Sequence, residues 1–170
     1  HVRSALTGQT SLREFSYSNR LNPFIVQGDF DGDGRPDAAI LIRRKDNGKT
    51  GIAVFHSGSK TIHILGAGRP VGNGGDDFSW MDAWYVYGKG LVERGAQPGS
   101  PPRLRGDALM VIKTESASGL IYWSGTGYRW YLAAQPDPAV VKVVGSEYRK
   151  APAAAVGAPG DVITPELIHR

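Results

Sequence analysis

The 170-residue sequence contains no cysteine, which excludes a disulfide framework, thiol chemistry and any zinc-thiolate centre. No uninterrupted apolar stretch is long enough to cross a bilayer as a helix. There is also no Gly-x-Ser-x-Gly elbow, no phosphate-binding loop and no His-Glu-x-x-His pair, so the short signatures of esterases, nucleotide enzymes and metalloproteases are missing. Of the 4 histidines, His1 and His169 sit at the chain ends, and His56 and His63 have no acidic residue at metal-ligand spacing. Packing roles are expected for them. Basic residues are scattered, and the one run of three, Arg43-Arg44-Lys45, falls at an expected hairpin end. A net charge of +4 therefore does not point to nucleic acid, but it suits work against an anionic cell-wall polymer or an acidic enzyme cleft. The first residue is His1 and not Met, so a signal or lipid-anchor segment is expected upstream, and membrane association only through such an anchor.

What is present is a run of alternating carboxylates, Asp29-Phe30-Asp31-Gly32-Asp33-Gly34-Arg35-Pro36-Asp37. If the backbone coils tightly, the side chains of Asp29, Asp31 and Asp33 converge on one ion, and Gly32 and Gly34 permit the coil by accepting positive φ. The carbonyl of Arg35 and the carboxylate of Asp37 would complete a shell of hard oxygens, which suits Ca2+ better than softer metals. A helix-loop-helix calcium hand needs a bidentate Glu at its twelfth position, where this chain has Ile40 inside an apolar run. The loop is thus expected to lead into a strand. Its affinity class fits a calcium-rich extracytoplasmic medium.

Strand signals follow the loop in order. Ala38 to Arg43 is a β-branched apolar run, Asp46 to Lys49 a turn, Gly51 to His56 a strand, Ser57 to Ser59 a second turn and Thr61 to Leu65 a third strand. The pattern returns 70 positions later: Asp107 to Lys113 repeats Asp37 to Arg43, and strand-like segments Gly119 to Trp123 and Tyr128 to Leu132 follow. The second copy has Leu104-Arg105-Gly106 where the acidic loop stood, so one ion is expected, not two. Leu12 to Tyr17 reads as an edge strand, Phe24 to Val26 as the strand entering the loop, and Trp80 to Trp84 as one helical turn among aromatics that fill the core between the copies. Val140 to Val144 reads as a late strand and Ala151 to Arg170 as a tail. The expected architecture is all-β and antiparallel, two related meanders forming a sandwich or a small propeller-like body. Residues 22–145 form the main domain, 1–21 an edge or flexible segment and 146–170 a tail.

The segment Thr114 to Tyr122 contains Ser118-Gly119-Leu120-Ile121-Tyr122, a Ser-Gly-x-x-Tyr pattern, and Ser124 to Tyr128 matches it again, more simply as a hairpin turn. Here the chain resembles periplasmic lysozyme inhibitors that share a Ser-Gly-x-x-Tyr loop. It is most similar to the calcium-containing immunity lipoproteins that protect bacteria from a peptidoglycan-cleaving effector of an antibacterial type IV secretion system. The resemblance runs from about Asn22 to Leu132. It implies a periplasmic protein, outer-membrane-anchored or free, that has no catalysis of its own and binds a lysozyme-like peptidoglycan hydrolase. Ser118 and Tyr122 would offer hydroxyls to the two cleft carboxyls, with Gly119 allowing close approach. Lys113, Glu115 and Ser116 would flank them at the interface, Lys113 or Arg129 supplying the basic group.

Two other readings stay open. The acidic loop also resembles integrin-type propeller repeats, which allows a calcium-stabilised module for carbohydrate or cell-surface partners, with Trp80, Trp84 and Trp123 as the stacking surface. The carboxylates Asp76, Asp77 and Asp82 could be imagined as a glycosidase pair, but beside a glycine-rich loop they read more simply as solvated turn residues. Arg105-Gly106-Asp107 spells an integrin tripeptide, and its Asp107 is better explained as the repeat partner of Asp37.

Overall fold

The computed structural model describes residues 12–133 and 149–150; the strand expected at Val140 to Val144 and the tail from Ala151 lie outside them. Two sheets make an all-β sandwich. In the first, β3 (Asp37–Arg44) pairs antiparallel with β4 (Thr50–Phe55), and β4 with β5 (Ile62–Gly66). The far side of β3 is shared by β2 (Ile25–Gly28), opposite Asp37 to Ile40, and β1 (Phe15–Tyr17), opposite Ile42 to Arg44. In the second, β6 (Ala83–Tyr87), β7 (Ala108–Lys113), β8 (Ala117–Trp123) and β9 (Tyr128–Ala133) form an antiparallel meander, and β10 (Arg149–Lys150) runs parallel beside β6. The paths β2 to β5 and β6 to β9 are the same, which is the repeat expected from the sequence, and a sandwich rather than a propeller-like body is what they build.

β3 and β7 read as unbroken apolar runs because both of their faces are covered. Between the sheets lie Ala39, Leu41, Ile52 and Val54 from one side and Trp84, Val86, Leu109, Val111 and Ile121 from the other, with Phe30, Phe78 and Met81 from the loops. On the outer face of the first sheet Leu12 and Phe15 cover Ile42, Ala53 and Ile64. On the outer face of the second, Val92 and Leu104 pack against Tyr85, Tyr87, Met110, Ile112 and Leu120. The aromatics therefore divide: Phe78 and Trp84 fill the inter-sheet core, whereas Tyr85 and Tyr87 face outward.

The helical turn expected at Trp80 to Trp84 is not formed. A single turn closes earlier, with Met81 N–H donating to Phe78 at 3.0 Å, and Trp84 is in strand. Alternation explains this, since Ala83, Tyr85 and Tyr87 go to one face and Trp84 and Val86 to the other, a period of two that no helix satisfies.

Candidate cation loop and hairpin tip

The loop before β3 is folded by its own carboxylates. Asp29 Oδ1 and Oδ2 accept the N–H groups of Gly32 (2.8 Å) and Gly34 (3.0 Å), Asp31 Oδ1 accepts Asp33 N–H (3.1 Å), and Asp33 Oδ1 accepts Arg35 N–H (2.8 Å). The successive turns carry left-handed backbone at the two intervening glycines, Gly32 and Gly34, with φ of +82° and +85°. The result draws carboxylate oxygens of Asp29, Asp31 and Asp33 to within 4.8 Å of one another. Three convergent hard oxygens fit a divalent cation, and among the three only Asp33 has a guanidinium against it. There the Arg35 backbone and guanidinium, the latter at 2.7 Å, hold the carboxyl below its usual range against some desolvation.

Asp37 does not join this triad. It is 2% exposed, and its carboxylate accepts the N–H groups of Phe30 (2.8 Å), Asp31 (3.3 Å) and Ser57 (2.7 Å). It thus ties the loop to the end of β4, and burial pushes its pKa up despite those bonds. Asp107, at the matching place in the second repeat, does the same work across the sandwich: it accepts Lys89 N–H (2.9 Å) and Asp29 N–H (3.0 Å), and its own N–H donates to the Asp29 carbonyl at 2.6 Å. Gly106 and Gly32 are pressed together here; a Cβ on Gly106 would lie 2.2 Å from the Asp29 carbonyl, and one on Gly32 would lie 2.3 Å from that of Arg105. The integrin-like tripeptide is therefore a sheet-to-sheet clasp, its Asp only 8% exposed.

His56, expected only to pack, joins this end of the molecule. It is buried, and the fold brings its Nδ1 to 3.5 Å from Asp31 Oδ2 and its Nε2 to 2.7 Å from the Tyr128 hydroxyl. His63 and Trp123 complete the cluster, their rings 4.7 and 4.9 Å from that of His56. Burial and the neighbouring His56 lower the pKa of His63, and burial beside Asp37 and Asp31 raises that of Tyr128.

The Ser-Gly-x-x-Tyr segment is not a loop. Ser118 to Tyr122 lie within β8, with β7 on one side and β9 on the other. Ser118 is 2% exposed and Gly119 is also buried. Gly119 makes room for an internal partner: a Cβ there would stand 2.0 Å from two carbons of the Trp130 indole, which also rests on Gly72 and Gly74. Tyr122 packs against the outer apolar cluster of the second sheet. Position in a strand, not in a turn, follows from the unbroken apolar run Leu120-Ile121-Tyr122-Trp123 that continues the motif.

The hairpin turn comes before the motif. Lys113, Thr114, Glu115 and Ser116 are all exposed, about 17 Å along β7 from the acidic loop. Glu115 holds φ of +60°, a conformation disfavoured for a residue with a side chain. The turn is braced from outside. Asp82 accepts Thr114 N–H at 2.9 Å and the Thr114 hydroxyl at 2.7 Å, and Ser116 N–H donates to the Lys113 carbonyl at 3.1 Å. Beside the tip opens a pocket of about 320 Å³ lined by Trp80, Trp130, Asn73, Lys113, Ser116 and Leu132, among others. Trp130 Nε1 is buried there with no acceptor among the described residues.

Comparison with family models, with curated proteins and with solved structures finds no match.

Trp80, Trp84 and Trp123 do not form one surface: Trp84 is 1% exposed in the core, Trp123 lies at the acidic-loop end with His56, and Trp80 pairs with Trp130 beside the hairpin tip. Nor are the carboxylates near the glycine-rich loop merely solvated. Asp76 pairs with Lys49. Although desolvation opposes it, hydrogen bonds from Thr50 and Ser79 hold the Asp77 carboxyl below its usual range.

Proposed function

We propose that this protein inhibits a lysozyme-like peptidoglycan hydrolase in the periplasm, through the rigid β7–β8 hairpin tip and not through an inserted Ser118 to Tyr122 loop. The observation that carries the reading is the tip itself: an exposed turn with a non-glycine residue in left-handed conformation, fixed in advance by Asp82. A turn already ordered loses little entropy on binding. Lys113 presents an ammonium to the ionised member of the hydrolase carboxyl pair, and the turn sterically fills the cleft. Lys113→Glu is expected to weaken inhibition at least about tenfold, since it turns an attraction into a like-charge repulsion. Asp82→Ala should weaken it by a smaller factor by loosening the turn. Enzyme assays on peptidoglycan with each variant check this, and unchanged inhibition in both would overturn it.

The cation in the Asp29 to Asp33 triad is calcium in this reading, and its role is to hold the clasp between the sheets. Chelation is expected to lower the melting temperature by roughly 5 °C, the equivalent of one to two kcal/mol in a domain of this size. Asp31→Ala should abolish that response. Equal melting with and without chelator would falsify calcium in the loop.

A second reading is favoured by the pocket at the tip. Two indoles, an amide and an ammonium around about 320 Å³ suit a short glycan, stacked on its apolar ring face. Quenching or enhancement of tryptophan fluorescence by soluble peptidoglycan fragments, with no hydrolase present, would support this reading over the first.

A further inference from the structure

We propose that Asp31, Asp37 and His56 form a second cation position, adjoining the acidic loop and sharing Asp31 with it, that takes a divalent transition metal of zinc-like softness. One ligand atom from each of the three residues lies within 4.8 Å of the others. Ligands around one tetrahedral zinc stand about 3.4 Å apart at bond lengths near 2.1 Å, so a small inward adjustment suffices.

The imidazole makes this more than an acidic cluster. The His56 side chain is 6% exposed and its Nδ1 faces Asp31 Oδ2 at 3.5 Å, beyond hydrogen-bonding length. Its other nitrogen is held by the Tyr128 hydroxyl at 2.7 Å. The Tyr128 hydroxyl stands where it can accept the far ring N–H, as the oxygens that orient metal-binding histidines do, and in that tautomer the near nitrogen's lone pair is left for the ion. Asp31 divides its carboxylate between the two positions, Oδ1 toward the loop at Asp33 N–H and Oδ2 toward His56. Asp37 accepts one N–H from Ser57 on one oxygen and two, from Phe30 and Asp31, on the other, so a lone pair remains for an ion on the oxygen facing Ser57. Two carboxylates and a neutral imidazole balance a divalent charge. Calcium seldom takes nitrogen, whereas zinc binds imidazole and carboxylate together, so the two positions differ in the ion they select. This inference is independent of the hydrolase reading.

The test is a zinc titration of the full chain, freed of metal and then saturated with calcium. Trp123, its ring 4.9 Å from that of His56, serves as a fluorescence reporter, and cobalt in place of zinc reports ligand geometry through its visible absorption. One equivalent of zinc is expected to bind in the presence of calcium and to raise the melting temperature. His56→Gln should weaken zinc binding at least about tenfold, and Tyr128→Phe about tenfold through lost orientation of the ring. The calcium-induced rise in melting temperature should persist in both variants, which also shows that they fold. Three results would each overturn the inference: no zinc uptake in calcium, zinc affinity unaltered in His56→Gln, or zinc and calcium displacing one another from a single site.

Discussion

Gly119→Ala is expected to destabilise the protein by about 3 kcal/mol, the upper range for overpacking a close-packed interior, and to lower the melting temperature by roughly 10 °C. The added methyl would sit 2.0 Å from Cη2 and Cζ2 of Trp130. The indole is confined on two further sides, because its far edge and its Cβ lie close over Gly74 and Gly72, where added Cβ atoms would stand 2.6 Å away. If this crowding is the cause, Trp130→Leu should relieve it. The double variant should then be much less destabilised than the two single losses summed, a coupling that a double-mutant cycle in urea reads directly. A partner-facing Gly119 predicts the opposite: intact stability and weakened hydrolase binding. An unchanged melting temperature in Gly119→Ala would therefore return the Ser-Gly-x-x-Tyr segment to the interface.

Asp37→Ala is expected to cost about 4 kcal/mol, because three backbone N–H groups lose a charged acceptor and those of Phe30 and Ser57 lie where water replaces it poorly. Asp37→Asn should recover only part of this, having one acceptor oxygen where the native side chain uses both. The loss should persist in chelator. That separates Asp37 from Asp31, whose replacement should matter chiefly when a cation is bound, since its one backbone bond is exposed. Denaturant unfolding of both variants with and without chelator draws the distinction, and a loss at Asp37 that vanished in chelator would make it a cation ligand alone.

The fold was legible because its signals are local and doubled. Asp37 to Arg43 and Asp107 to Lys113 share one pattern, and short polar turns, glycine-bearing at Gly48, Gly58 and Gly125, separate the strands that follow. The acidic loop was legible for a similar reason: the spacing of Asp29, Asp31 and Asp33 around two glycines dictates its turns. Long-range placement was not. His56 is 25 positions from Asp31, and only the return of β4 to the start of β3 joins them. Asp82 braces Thr114 across 32 positions, and no periodicity marks that pairing. The motif at Ser118 misled because a short pattern carries no depth; whether it lies in a turn or in a buried strand depends on the residues beyond it, and here those are apolar.

The clasp between Asp29 and Asp107 joins residues 78 positions apart, and it bears on the order in which the molecule comes together. The acidic loop can curl early on its own local bonds, but its back stays unsupported until Arg105 and Gly106 arrive with the second sheet. A cation that grips only the finished loop thus acts mainly after the halves have joined. Its effect falls on the lifetime of the native state: the ion is a latch on a closed door and not a hand that closes it.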